Sequence, residues 1–166
     1  MALSTSPRDW GDLVQTFDEA FVALHHAAYR ASYKLLGDRA EAEDIAQEAL
    51  ARALVRWRKV EPYAVPWVSR VAANLSIDRV RKDRRTSSAA AETGRPDPDA
   101  AERLDLVNAL RGLPRRQRDV VVLRYLVDQS EETVAGVLGV SVGSVKTHAS
   151  RGLAALRLAL GEAVEA

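Results

Sequence analysis

The stretch GVSVGSVKTHASRGLAAL, residues 139–156, decides the fold of the second half of this chain. A Gly-Val-Ser turn precedes a segment whose apolar and small residues recur at the spacing of an α-helix. Four polar or basic side chains lie on the other side of this helix: Lys146, Thr147, Ser150 and Arg151. The composition of that side raises the question of what it contacts.

The residues before and within this stretch match the pattern of a helix-turn-helix. The first helix needs a small residue where the second crosses it, and Ala135 stands there. The turn needs a residue that tolerates positive φ, which is Gly139. Ser141 stands at the N-cap of the second helix, and Val145 stands where an apolar side chain should enter the core. The pattern predicts two short helices packed across a tight turn.

A helix-turn-helix places its second helix in the major groove of DNA, where hydroxyl, ammonium and guanidinium groups contact bases and phosphates. A plain helical hairpin with a solvated polar face is the alternative. The arginine-rich segment just before the motif favours DNA binding, because arginines contact phosphates. The candidate DNA-binding residues are Arg124, Ser144, Lys146, Thr147, Ser150 and Arg151.

Composition and charge exclude several classes of protein. The chain has 166 residues, 28% of them charged, no cysteine and a net charge of +1. No apolar run is long enough for a signal peptide or a membrane helix, so a cytoplasmic protein is expected. The small net charge conceals separate patches, of −4 over residues 38–50 and +4 over both 79–85 and 111–126. Such alternation predicts different surfaces for different partners.

The apolar pattern predicts an all-α fold of two small helical domains joined by a flexible linker. Helices are expected at about 17–36, 40–57 and 66–84, with Leu54 in the buried stripe of the second. The stretch TSSAAAETGRPDPDAA then contains two prolines, a glycine and no large apolar side chain, which is typical of a linker. The predicted domains are 10–85 and 102–160, with a linker at 86–101. Another helix is expected from about Pro114, with Tyr125 on its packed side.

A second candidate site lies on the acidic second helix. Asp44, Gln47 and Glu48 share one face because they stand at positions i, i+3 and i+4. Acid-base catalysis and metal binding are disfavoured, since no histidine stands at ligand spacing on this helix. A docking face for a basic partner is the better functional interpretation, and a solvated helix face is the alternative.

Three ordered blocks carry a resemblance to a known family. They are EAEDIAQEALARAL, WVSRVAANLSIDRVRKDRR and LPRRQRDVVVLRYLVDQSEETVAGVLGVSVGSVKTHASRGLAAL. Together with their spacing they resemble the bacterial sigma factors of the extracytoplasmic-function (ECF) group, and more narrowly the short actinobacterial SigE-like type. The resemblance spans about residues 17–160.

The resemblance implies a promoter-specificity subunit of RNA polymerase with no catalytic activity and no cofactor. Its partners would be promoter DNA and core polymerase, through the β′ clamp and the β subunits, with an anti-sigma factor as a further partner. Asp44, Gln47 and Glu48 match the segment that docks on the β′ clamp. The helix-turn-helix would read the −35 element. The residues implied for opening and reading the −10 element are Asn74, Asp78, Arg79, Arg81, Lys82, Arg84 and Arg85.

Two other classes of function stay open on the residues alone. A stand-alone helix-turn-helix regulator would use its first domain for ligand binding or dimerisation and would read paired half-sites. An enzyme on a helical bundle is disfavoured, because the sequence has no nucleophile-base or metal-ligand constellation.

Overall fold

The computed structural model describes residues 7–86 and 97–161, and describes side chains within 16–80 and 97–161. Every regular element in these residues is helical, which confirms the all-α prediction. The helices are α1 (Pro7–Leu36), α2 (Arg39–Val55), α3 (Trp57–Val60), α4 (Ala64–Thr86), α5 (Ala100–Gly112), α6 (Arg115–Val121), α7 (Glu131–Leu138) and α8 (Val142–Ala159). A 3-10 turn (Glu61–Tyr63) leads into α4, and a π turn (Val122–Leu126) extends α6.

The first half of the chain is a bundle in which α1 packs against both α2 and α4. Alanines make up much of the buried side of α2, and their small side chains let the neighbouring helices approach closely. Larger residues fill the centre, including Leu24, Ile45 and Val68. The indole of Trp57 closes one end, where its ring meets Phe17 edge-on at 5.1 Å between ring centroids. This core positions the exposed sides of α2 and α4.

The second half builds a smaller core around the helix-turn-helix. Val120, Leu123, Val134 and Val145 are fully buried in it. Helix α8 also crosses α6 very closely at Gly152, where an added Cβ would stand 2.6 Å from Val121 Cγ2. These contacts bury one side of α8 and leave the opposite side exposed.

The two halves also pack against each other through a shared apolar cluster. Leu35, Ala73 and Ile77 from α1 and α4 contact side chains of the second half. The members from the second half are Val107, Ala109, Leu110, Leu113, Val121, Val122 and Leu156. The linker was predicted to end at residue 101, whereas α5 already begins at Ala100. Residues 87–96 of that linker lie outside the described part of the chain.

Two predicted core positions are wrong. Leu54 is 41% exposed, because α2 ends one residue later and Trp57 fills the adjacent core position. Tyr125 is 51% exposed, because it lies in the π turn, where the Val127 N–H donates to the Val122 carbonyl at 3.0 Å. The wider turn rotates the following side chains relative to an α-helix, and Tyr125 points outward.

Candidate nucleic-acid interface

Local capping places the two helices of the helix-turn-helix. Ser130 caps α7, and its side-chain oxygen accepts from the Thr133 N–H at 3.1 Å. Gly139 ends the helix in the left-handed region, with φ 64° and ψ 40°. Ser141 then caps α8 by accepting from the Ser144 N–H at 3.1 Å. The predicted roles of Gly139 and Ser141 are therefore confirmed.

The exposed side of α8 carries the predicted polar and basic residues. The Lys146 side chain is 64% exposed, and its Nζ lies 3.7 Å from a Glu131 carboxylate oxygen on α7. Thr147, Ser150 and Arg151 are exposed, while Ser144 is half-buried beside the N-cap. No ion pair involves Arg151 within the described residues. The structure thus brings these five residues together on one accessible surface, hereafter the α8 face.

Arg124 lies in the π turn and ties that turn to the loop after it. It is half-buried, and its guanidinium donates to the Gln129 carbonyl oxygen. The same guanidinium lies 5.8 Å from the centroid of the Tyr125 ring. Since this side chain already bonds the backbone, it has a structural contact that the sequence did not indicate.

Helix α4 carries the second candidate nucleic-acid surface, and part of it is engaged by the second half of the chain. Asn74 Nδ2 donates to Asp119 Oδ1 at 2.9 Å, and Arg70 Nη1 donates to Asp119 Oδ2 at 3.2 Å. Asp78 is exposed and Arg79 is half-buried. The backbone of α4 continues to Thr86, but the side chains of Arg81, Lys82, Arg84 and Arg85 lie outside the described residues.

Sequence reasoning missed Asp119 and Arg70. Asp119 is 2% exposed and is followed on α6 by the buried residues Val120 and Val121. A carboxylate at a core-facing position of a helix needs a hydrogen-bonding partner. The position of Asp119 in the helical period of α6 could therefore have indicated that it has such a partner. The identity of the partner could not be read from it, because Arg70 and Asn74 lie 49 and 45 residues away.

The acidic side of α2 is exposed as predicted, but two of its three residues have partners on the same helix. Gln47 Nε2 donates to Glu43 Oε1 at 3.1 Å, and Arg52 donates to Glu48 Oε1 at 2.6 Å. Glu43 also lies 2.8 Å from His25 Nε2 on α1. Hydrogen bonding by His25, and then by Gln47, holds the pKa of the Glu43 carboxyl below its ordinary value.

The described ranges, 7–86 and 97–161, contain no candidate metal site and no candidate membrane span. No group of three or more histidine, aspartate or glutamate side chains is arranged there to hold a metal ion. None of the helices in these ranges combines the length and the apolar content that a membrane span requires.

Models of two protein families match the chain. Sigma-70 region 2 matches residues 20–86, and Sigma-70, region 4 matches residues 103–156. The first match contains α2 and α4 in full and much of α1, and the second contains the helix-turn-helix.

Three relatives match this chain over most of their own length. The chain is 34% identical over 153 residues to the ECF RNA polymerase sigma factor SigW of Bacillus subtilis, covering 78% of this chain and 80% of SigW. It is 35% identical over 152 residues to the RNA polymerase sigma-E factor of Streptomyces coelicolor, covering 87% of this chain and 85% of that protein. The ECF RNA polymerase sigma factor SigL of Mycobacterium tuberculosis is 34% identical over 151 residues, covering 82% of this chain and 85% of SigL.

Two solved structures share the fold. One is the sigma factor RpoE from Bartonella quintana in complex with the anti-sigma factor NepR, with a TM-score of 0.53 and 23% identity, covering 90% of this chain and 97% of RpoE. The other is CnrH in complex with the cytosolic domain of CnrY, with a TM-score of 0.50 and 25% identity, covering 96% of this chain and 92% of CnrH.

Proposed function

The chain belongs to the ECF sigma factors, which direct RNA polymerase to promoters, and we propose how its surfaces divide that work. Residues 10–85 bind core polymerase and the −10 element. Residues 102–160 read the −35 element, and residues 86–101 connect the two. The matches to both sigma-70 regions in one chain decide against a stand-alone helix-turn-helix regulator.

The observation that carries this proposal is the α8 face. Helix α8 buries Val145, Ala149 and Gly152 against its neighbours and exposes hydroxyl and basic groups on the other side. A helix held in this way can enter the major groove without disturbing the core that supports it. Thr147 and Ser150 provide short hydrogen-bonding groups for base edges, while Lys146 and Arg151 provide charge for phosphates. Ser144 on the same face and Arg124 in the π turn belong to the proposed −35 surface as well.

The proposed −10 surface follows α4 towards its C-terminal end. Asn74 and Asp78 offer hydrogen-bonding groups to the bases of a displaced strand. The basic residues after them, Arg79, Arg81, Lys82, Arg84 and Arg85, would neutralise its phosphates. The sequence supports this proposal, because residues 79–85 carry a net charge of +4. These residues lie on α4, which continues to Thr86.

Core polymerase binds the acidic side of α2 in this proposal. Asp44, Gln47 and Glu48 are exposed together on a helix whose other side is buried. The Arg52–Glu48 pair is exposed and contributes little to stability, so a basic partner surface can displace it at small cost. An anti-sigma factor that competes for these surfaces is a further proposed partner, and the cytoplasm is the proposed location.

Reconstituted transcription tests the division of work. Core polymerase with this protein should initiate at specific sites in a genomic promoter library, where core alone does not. Arg151→Ala should weaken recognition of the −35 element and leave core binding unchanged, whereas Glu48→Ala should weaken core binding. Arg157→Ala is the matched control, because it removes an exposed arginine from the last turn of the same helix. Equal loss of core binding and promoter recognition in Arg151→Ala would contradict the proposal.

A further inference from the structure

A small cavity lies where the end of α2, the middle of α4 and the start of α6 meet, and arginines dominate its walls. Its volume is about 250 Å³. Among the described residues that line it, the one acidic side chain is Asp78, which is exposed and therefore screened by solvent. The arginines that line this space, hereafter the arginine cavity, are Arg52, Arg56, Arg70, Arg115 and Arg118. None of them belongs to the proposed DNA and core surfaces, so the arginine cavity is a separate feature.

Carboxylates within the described ranges neutralise only two of these five arginines. Arg52 donates to Glu48 at 2.6 Å, and Arg70 lies 3.2 Å from Asp119. Like charges that converge on a cavity with low-dielectric walls repel one another and create a focused positive field. The arginines that form no ion pair with a described residue are Arg56, Arg115 and Arg118. The charge of the arginine cavity therefore favours an anion.

Two of the guanidinium groups, from two different helices, also keep an unused donor. Arg70 Nε on α4 and Arg118 Nε on α6 are buried and have no hydrogen-bond partner among the described residues. A buried donor without an acceptor costs free energy. Since a guanidinium has five donors and no acceptor, a ligand at this place must supply acceptor oxygens. An anion between α4 and α6 can accept from both side chains.

The arginine cavity has room for more than one phosphate group. Its volume equals that of about eight waters in the liquid. Arg56, Trp67 and Arg70 also line a neighbouring cleft of about 740 Å³. Lys59 lines this cleft as well, and no carboxylate of the described residues does. The positive surface thus extends beyond the cavity, which suits a ligand with several anionic groups in a row.

We propose that the arginine cavity binds an oligophosphate group, either as a free anion such as triphosphate or as the phosphate part of a nucleotide. The planar fork of an arginine matches a pair of phosphate oxygens, and such charge-assisted hydrogen bonds are about twice as strong as neutral ones. A single phosphate would leave Lys59 and the neighbouring cleft unused, whereas a chain of two or three phosphates can extend into it. The site goes beyond the proposed function, because promoter recognition does not require it.

Both halves of the chain contribute to this site. Arg56 and Arg70 belong to the first half, and Arg115 and Arg118 belong to the second. A ligand that binds only the folded arrangement stabilises it by an amount that grows with the ratio of its concentration to its Kd. Triphosphate should therefore raise the Tm, by about 5–10 °C at a concentration one hundred times its Kd.

Isothermal titration of the full chain with sodium tripolyphosphate, at an ionic strength of about 0.15 M, tests the site. We expect one triphosphate to bind per chain. Arg56→Gln and Arg115→Gln each remove an exposed cation, one from each half, and each should lower the affinity by about tenfold or more. Arg157→Gln is the matched control, because it removes an exposed arginine of α8 that does not line the cavity, and it should leave the affinity unchanged.

Two comparisons identify the ligand. Orthophosphate should bind about tenfold more weakly than triphosphate or worse, because it makes fewer charge-assisted hydrogen bonds. Equal affinities of the two anions would overturn the assignment of an oligophosphate. If ATP or GTP binds more tightly than triphosphate, the oligophosphate comes from a nucleotide. If neither does, the ligand is a free oligophosphate.

Three other results would overturn the site itself. The first is the absence of both titration heat and a shift in Tm with triphosphate. The second is a loss of affinity in Arg157→Gln equal to that in Arg56→Gln and Arg115→Gln, since this would indicate unspecific attraction to positive charge. The third is displacement of triphosphate by a thymidine-only single strand at equal phosphate concentration, with strand binding weakened in the same two variants. The arginine cavity would then belong to a path for DNA.

Discussion

Replacement of Gly139 by alanine should destabilise the helix-turn-helix through the backbone alone. Gly139 has φ 64°, and an added Cβ would meet nothing within 4 Å. Steric clash with residues beyond the two chain neighbours is therefore excluded as a cause. The left-handed conformation costs an L-residue about 1–2 kcal/mol relative to the right-handed one. Alanine recovers about 0.4–1 kcal/mol by restricting the unfolded chain. The expected net loss in free energy of unfolding is about 1 kcal/mol.

Gly143 provides the matched control, four residues away. It lies in the first turn of α8, and a Cβ there would come no closer than 3.8 Å to Ser141 Oγ. Gly143→Ala should therefore raise the free energy of unfolding by about 0.5 kcal/mol, because alanine favours the helix. Gly139→Asn should lose less than Gly139→Ala, since asparagine tolerates the left-handed region. The two alanine variants should differ by about 1.5 kcal/mol.

Urea denaturation followed by far-UV circular dichroism measures these differences. In thermal unfolding, a decrease of about 1 kcal/mol in the free energy of unfolding lowers the Tm by about 2–4 °C for a chain of this length. The two alanine variants should move the midpoint in opposite directions. Equal effects of Gly139→Ala and Gly143→Ala, or a loss in Gly139→Asn as large as that in Gly139→Ala, would refute the backbone argument.

Three further predictions follow from capping, packing and ionisation. In urea denaturation, Ser141→Ala should lower the free energy of unfolding by about 1 kcal/mol, because the variant loses the N-cap of α8. As a control, Ser150→Ala at an exposed position of the same helix should change the free energy of unfolding by less than about 0.5 kcal/mol. Val145→Ala should cost about 2 kcal/mol in the same assay, because its fully buried side chain leaves a cavity. His25→Ala should remove the main cause of the lowered Glu43 pKa. The stability that the lowered Glu43 pKa contributes is present above the unfolded pKa of about 4.3 and is lost as the pH falls through the lower folded pKa. The difference in urea midpoint between the wild type and His25→Ala should therefore narrow below about pH 4. A difference in midpoint that widens in acid would contradict this.

Much of the helix-turn-helix could be predicted from the sequence, because its signals are local. A glycine that must adopt positive φ, a serine at an N-cap and a valine at helical spacing each act within a few residues. The exposed position of the α8 face followed from the same periodicity. The acidic side of α2 could be predicted for the same reason, although the pairing of Glu43 with His25 could not, because His25 lies on another helix.

The errors occur where helices end or change their winding. Leu54 continues the apolar stripe of α2, but the helix stops at Val55 and the side chain stays 41% exposed. Tyr125 would be packed in a regular helix and is exposed because of the π turn. Neither the end of a helix nor an extra residue in one turn is marked by hydrophobic periodicity.

The sequence by itself determined the helices, the helix-turn-helix and the separation of acidic from basic surfaces, since each depends on residues close together along the chain. Only the tertiary structure decided that Asn74 meets Asp119 and that the two halves share an apolar cluster. The physical reason is that these contacts join residues tens of positions apart, and each partner carries no local signal of the other. Where the two halves meet is set by the packing of whole helices rather than by any short pattern.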